Sequence, residues 1–119
     1  MKVEDLHIYQ NSMELAEDIW QIVQKWNFFE RDTIGKQLVR AADSIAANIA
    51  EGFGRYHFKE NKNFLYYSRG SLLETKTWLM KAFNRKLITK EQFENFKNKI
   101  DQTGIKLNNY INTIGKNYK

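Results

Sequence analysis

The stretch QLVRAADSIAANIAEGFGR, which runs from Gln37 to Arg55, has the clearest helical pattern in this chain and decides its fold. Apolar residues recur there every three or four positions, as they do on one face of an α-helix. The stripe they form consists of Ile34, Leu38, Ala41, Ile45, Ile49 and Phe53. Additional alanines widen the stripe, so we predict that this helix, over residues 33–53, is the most buried one. Asp32 or Thr33 is its expected N-cap.

Three further stretches carry the same helical period, and short connections separate them. We predict helices over residues 5–26, 58–84 and 90–114. Thr89 and Gln92 have the spacing of a capping box at the start of the last one. The first helix has a main apolar row that is expected to face the core: Leu6, Tyr9, Met13, Ala16, Trp20 and Val23.

No stretch alternates with a period of two for long enough to indicate a sheet. Four long helices with short connections bury their apolar stripes by packing side by side. We therefore predict an all-α fold, an antiparallel up-down-up-down four-helix bundle that forms one domain over residues 1–119.

The composition excludes several classes of protein. The 119 residues include no cysteine, which rules out disulfides, thiolate chemistry and cysteine-based metal sites, and no proline, which leaves long helices uninterrupted. No apolar run approaches the ~18 residues of a membrane-spanning helix, and Met1 to Gln10 lacks the apolar segment of a signal peptide. The expected location is the cytoplasm.

The net charge of +5 is unevenly distributed. Residues 1–51 hold five Lys and Arg against nine Asp and Glu, a balance of −4, whereas residues 52–119 hold fourteen against five, a balance of +9. A basic half is typical of proteins that bind nucleic acid. Attraction between the two halves, within the fold or between subunits, explains the asymmetry equally well.

A basic stripe follows the third helix. It consists of cations spaced mostly by seven residues: Arg55, Lys59, Lys62, Arg69 and Lys76. Tyr56 and Tyr66 are interleaved with them. Cations at this spacing could follow the phosphates of a nucleic acid while the tyrosines stack on unpaired bases. The alternatives are a solvated charged face or a surface that pairs with the acidic first helix of another subunit.

Two apolar rows exceed what a monomeric bundle needs. They lie at heptad spacing on the first and third helices and comprise Ile8, Leu15 and Ile22, and Tyr66, Leu73 and Met80. A continuous apolar strip of this kind usually marks a partner surface, so these rows predict self-association. The alternative is ordinary exposed apolar surface, which most proteins have.

Polar residues line the two inner helices: Arg40, Ser44, Asn48, Glu51, Ser71 and Glu74. A structural network of paired groups is the favoured interpretation, and a ligand or RNA-backbone site is the alternative. Nothing indicates catalysis, a cofactor or a metal. The two histidines, His7 and His57, are not near the serines that a nucleophilic site would use, and no glycine-rich phosphate loop is present.

The stretch from Gln37 to Arg55, with NFLYYSRGSLLET from Asn63 to Thr75, resembles the four-helix bundle family found in intervening sequences of bacterial 23S rRNA genes. The stretch DLHIYQNSMELAEDIW, from Asp5 to Trp20, is similar to the first helix of that family. One departure is that Asn27 and the two phenylalanines after it stand where the family commonly has Phe-Pro.

The resemblance implies a ring of bundles, typically a homopentamer, without enzymatic activity. It also implies polar family positions at Asn48, Glu51, Arg55, Ser71 and Glu74. A related member, the accessory variability-determinant protein of diversity-generating retroelements, binds reverse transcriptase and nucleic acid through a basic surface.

These observations predict a non-enzymatic, oligomeric scaffold in the cytoplasm that binds nucleic acid, with RNA favoured. The alternative is a protein-interaction module, for example a partner of a reverse transcriptase, that does not touch nucleic acid itself.

Overall fold

The computed structural model describes residues 1–115, which form four long helices and no strand. These helices are α1 (His7–Val23), α2 (Lys36–Phe53), α3 (Phe58–Asn84) and α4 (Lys90–Thr113). They pack side by side as a bundle with extents of 52 × 23 × 20 Å. A short 3-10 turn, Val3–Asp5, precedes α1.

The start of the second helix differs from the prediction. A helical turn, Phe28–Glu30, continues through a π-helix, Arg31–Gly35, directly into α2. The side chain of Asn27 caps this segment by accepting a hydrogen bond of 3.2 Å from the Glu30 amide. Neither Asp32 nor Thr33 is the cap, because both already lie inside helical backbone. The first helix is correspondingly shorter than predicted and ends at Val23 rather than residue 26.

The last two helices have the boundaries that their patterns indicate. Helix α3 covers Phe58–Asn84, and α4 begins at Lys90, one residue after its cap. The predicted capping box is confirmed. The Gln92 amide donates to Thr89 Oγ1 at 3.1 Å, and the Thr89 amide donates to Gln92 Oε1 at 2.9 Å.

The core draws buried side chains from all four helices. The largest fully buried apolar side chains are Leu15, Ile19, Leu38, Ile45, Ile49, Leu65, Leu79 and Leu107. Buried hydroxyl groups within this core are satisfied by backbone carbonyls, as buried polar groups require. The Ser68 hydroxyl, for example, donates to the Ile45 carbonyl at 2.8 Å and so links α3 to α2.

The predicted orientation of α1 is right only in part, since Ala16 and Val23 of the predicted row are buried but other members are not. Ile8 and Leu15 are buried in the core and Ile22 is half-buried against it, whereas Met13 and Trp20 are exposed. Both apolar rows of α1 satisfy the helical period, so the period alone does not say which one turns inward. Contact with α2 on one side and α4 on the other turns the row of Ile8 and Leu15 inward. This row is therefore not an oligomer interface.

Several pairs of residues record how neighbouring helices lie against one another. Between α2 and α3, Ser44 contacts Ser71 and Gly52 lies against Asn61. Lys99 of α4 forms an ion pair of 3.1 Å with Asp18 of α1. Arg69 and Lys76 on α3 contact Asn108 and Asp101 on α4, so the side of α3 that carries these two cations lies next to α4.

Candidate nucleic-acid interface

The cations of the predicted stripe differ in how free they are to bind an anion. Lys76 is neutralised, because its ammonium group lies 2.8 Å from the carboxylate of Asp101 on α4. Lys97 contacts the same carboxylate at 3.3 Å. The hydrogen bond from Lys76, assisted by the one from Lys97, lowers the pKa of Asp101. Lys76 is thus part of an ion-pair network between α3 and α4.

Replacing Asp101 by asparagine is expected to lower the free energy of unfolding by less than about 1 kcal/mol at neutral pH, because the ion pairs are exposed. The folded carboxylate has a lowered pKa, so its stabilisation is present above the ordinary value of 3.8 and is lost as the pH falls through the lowered one. Urea unfolding at about pH 7 and about pH 2 should therefore show a difference between wild type and variant only at the higher pH.

Glu94→Gln is the matched control, because Glu94 lies on the same helix, is exposed and forms no ion pair within residues 1–115. An Asp101→Asn chain whose stability depends on pH as the wild type's does would show that the Asp101 network contributes nothing.

Arg55 is also paired, and it lies before α3 rather than on it. Its guanidinium group contacts the carboxylates of Glu51 at 3.1 Å and Glu60 at 3.9 Å. It also lies 4.8 Å from the ring centre of Phe64. These contacts hold Arg55 at the junction of α2 and α3 and cancel its charge locally.

Three cations of the stripe keep an uncompensated charge. Lys59 and Lys62 form no ion pair with any described residue. Arg69 donates to the neutral side-chain amide of Asn108 at 3.0 Å, and its guanidinium carbon lies 5.0 Å from the ring centre of exposed Tyr66. The first half of α3 therefore presents positive charge beside an aromatic ring.

The apolar row of α3 lies on the same outer face as these cations. Tyr66, Leu73 and Met80 are all exposed, and Leu73 is the most exposed of the three at 64%. The structure thus separates α3 into a basic first half, up to Arg69, and an apolar second half that contains Leu73 and Met80. Sequence spacing alone shows both patterns but not this division, which depends on the neutralisation of Lys76.

The predicted polar network forms only in part. The Ser44 hydroxyl donates to Ser71 Oγ at 2.6 Å and so joins α2 to α3. The Asn48 side-chain amide donates to the Ser44 carbonyl of its own helix at 2.8 Å. The other three members do not join these residues. Glu51 pairs with Arg55, Glu74 accepts a hydrogen bond of 3.3 Å from the Trp78 indole of its own helix, and Arg40 has no side-chain partner among residues 1–115.

A second group of cations was missed by the sequence reasoning. Four basic residues occur from position 81 to position 90, at the end of α3, in the connection and at the start of α4: Lys81, Arg85, Lys86 and Lys90. None of them forms an ion pair with a described residue. The available signal was the absence of any acidic residue in this stretch.

Within residues 1–115, no three His, Asp or Glu side chains come together in a way that would hold a metal ion. Over the same residues, every helix is too short or too polar to cross a membrane.

Comparison with known proteins agrees with this helical architecture. A solved structure of a protein of unknown function from the S23 ribosomal protein family of Bacteroides thetaiotaomicron is 26% identical, with a TM-score of 0.80. The similarity covers 89% of this chain and 99% of that one. No curated protein matches the chain. The model of the 23S rRNA-intervening sequence protein family matches residues 4–109, so the chain belongs to that family.

Proposed function

We propose that the protein is a non-enzymatic, oligomeric scaffold that binds nucleic acid, with RNA favoured, through the first half of α3. One observation carries this proposal: Lys59 and Lys62 lie on the outer face of α3 with no acidic partner in the described chain. The family description, which refers to an intervening sequence of 23S rRNA, supports the preference for RNA.

Electrostatic attraction to phosphates supplies most of the affinity in this proposal. Lys59 and Lys62 are three residues apart on one face of α3, so both ammonium groups can reach phosphates of one strand. Because counterions are released on binding, affinity decreases steeply with salt concentration.

The proposal includes the arrangement of the chain and of its copies. Two contacts between α2 and α3 support a single antiparallel up-down-up-down domain. Ser44 contacts Ser71, whereas Gly52, further along α2, lies against Asn61, which is nearer the start of α3, so the two helices run in opposite directions. The assembly is a homo-oligomer in the cytoplasm, a pentamer by family resemblance, and the exposed row on α3 forms part of its interface. No cofactor takes part.

The double substitution Lys59→Gln with Lys62→Gln tests the nucleic-acid surface. We expect it to weaken binding to a labelled RNA stem-loop roughly tenfold or more at low salt and to reduce the slope of log affinity against log salt by about two. Fluorescence anisotropy between about 50 and 200 mM salt measures both quantities, with a DNA of the same sequence as the comparison.

The control is Lys25→Gln with Lys106→Gln, which removes the same charge from two exposed lysines outside α3. Equal losses in the two double variants would contradict a localised surface. A wild-type protein that fails to bind the RNA at low salt would contradict the nucleic-acid proposal as a whole.

The second candidate function is a protein-interaction module that holds a partner such as a reverse transcriptase. The exposure of Leu73 and Met80 in the second half of α3 favours it. In that case Leu73→Asp abolishes co-purification with the reverse transcriptase, whereas the Lys59 and Lys62 double variant retains it.

A further inference from the structure

The outer face of α3 has the pattern of a helix-packing seam. Large residues at seven-residue intervals, Tyr66, Leu73 and Met80, alternate with the small residues Gly70 and Thr77. We call these five residues the α3 ridge. A Cβ atom at Gly70 would have no heavy atom within 4 Å, so nothing in the described chain covers the middle of the ridge. Large side chains separated by small ones are suited to interdigitate with another helix.

A groove between α1 and α2 has the complementary shape. It contains two apolar depressions: a Trp20 depression of about 420 Å³ that includes Val39 and Arg40, and a Met13 depression of about 280 Å³ that includes Ala46 and Ala47. Met13 and Trp20 are seven residues apart, as are Ala46 and Val39. The depressions therefore repeat at the same interval as the ridge, about 10 Å along a helix.

Charges along the groove are also uncompensated. The carboxylates of Glu17 and Asp43 line the Met13 depression, and neither forms an ion pair within residues 1–115. Burial, together with the charge of Glu17, raises the pKa of Asp43. Arg40, beside the Trp20 depression, likewise has no acidic partner in the described chain. The α3 ridge is flanked by opposite charges, since Arg69 and Glu74 lie on either side of Leu73 in the sequence.

We infer that the α3 ridge of one copy docks antiparallel to α2 in the α1–α2 groove of a second copy, with Leu73 in the Trp20 depression and Tyr66 in the Met13 depression. This register brings Arg69 to Asp43 and Glu74 to Arg40. A shift of one heptad would place Lys81 against Arg40 and would use Lys76, which is already neutralised by Asp101. Charge therefore selects one of the two registers that the shape allows.

The two docking surfaces are different, so each copy offers one of each to its neighbours. Such head-to-tail contacts produce a closed ring or an open filament rather than a two-fold dimer. The inference rests on the proposed self-association and specifies its contact surfaces. It assigns Tyr66 and Arg69, together with the second half of α3, to the interface between copies and leaves Lys59 and Lys62 available to nucleic acid.

Comparing Leu73→Asp with Ile105→Asp tests whether the oligomer depends on the α3 ridge or on exposed apolar surface in general. Leu73 and Ile105 are equally exposed, at 64% and 63%, but Ile105 lies on α4 outside both docking surfaces. We expect light scattering to show that Leu73→Asp has the mass of a single 14.2 kDa chain while Ile105→Asp keeps the wild-type mass. Circular dichroism establishes that both variants remain helical.

Disulfide formation tests the register, and the absence of native cysteine makes every disulfide an engineered one. An oxidised mixture of Arg40→Cys and Glu74→Cys chains is expected to yield covalent dimers containing one of each. A mixture of Arg40→Cys and Ile105→Cys chains is expected to stay unlinked.

An oligomer that persists in Leu73→Asp, or a cross-link that forms equally in both mixtures, overturns the inferred interface but leaves the scaffold proposal in place. A wild-type protein that is monomeric at tens of micromolar overturns both. If the wild-type chain is monomeric and Leu73→Asp abolishes its binding to a reverse transcriptase, the α3 ridge is the surface that binds that protein instead.

Discussion

Replacing Leu65 by alanine is expected to lower the free energy of unfolding by about 2–5 kcal/mol. Leu65 lies on α3, is 0% exposed and belongs to the core cluster to which all four helices contribute. Truncation removes the transfer free energy of the buried methyl groups and leaves a cavity that rigid neighbouring helices fill only in part. Chemical denaturation followed by circular dichroism measures the change directly.

Ile105→Ala is the control, because Ile105 is a large apolar residue at an exposed position of α4. We expect its free energy of unfolding to stay within about 0.5 kcal/mol of the wild type's. Both variants are compared at one protein concentration, since self-association contributes to apparent stability. Equal losses at the two positions would contradict the placement of Leu65 in the core.

Gly52→Ala is expected to destabilise the protein by about 1–3 kcal/mol, although alanine is the better helix former. A Cβ atom at this position would lie 2.9 Å from the Asn61 carbonyl oxygen, 2.7 Å from Asn61 Oδ1 and 3.1 Å from Phe64 Cβ. A Cβ atom cannot lie within 3.0 Å of a backbone atom, so the alanine side chain would force α2 and α3 apart. Thermal and denaturant unfolding should both report the loss.

Gly54→Ala, two residues further along the chain, is expected to change stability in the opposite direction. Gly54 has φ of −78°, which alanine adopts without strain, and a Cβ atom there would have no neighbour closer than 3.7 Å. Alanine restricts the unfolded chain, so we expect Gly54→Ala to raise stability by up to about 1 kcal/mol. A Gly52→Ala variant as stable as Gly54→Ala would show that α2 and α3 do not approach closely at Gly52.

The boundaries of α3 and α4 could be predicted from sequence because the signals are local. A helical period over 58–84 and a capping box at Thr89 and Gln92 depend on residues within a few positions of one another. The start of the second helix was missed for a related reason. Asn27 is as good an N-cap residue as Asp32 or Thr33. Asn27 is the cap because a helical turn and a π-helix, which the apolar pattern does not indicate, extend the helix back to it.

The candidate site could be predicted only as a set of residues. The spacing of residues shows its cations and its apolar row. The acidic residue that neutralises one of these cations, however, lies far away in the chain. Asp101 neutralises Lys76 across 25 positions, while Lys59 and Lys62 keep their charge because no described acidic group reaches them.

The sequence by itself determined that the protein is helical, where its last two helices begin and end, and which family it belongs to. The tertiary structure decided which row of α1 is buried and which cations of α3 keep their charge. The physical reason is that periodicity describes the faces of one helix, whereas burial and charge compensation depend on which other helices lie against each face.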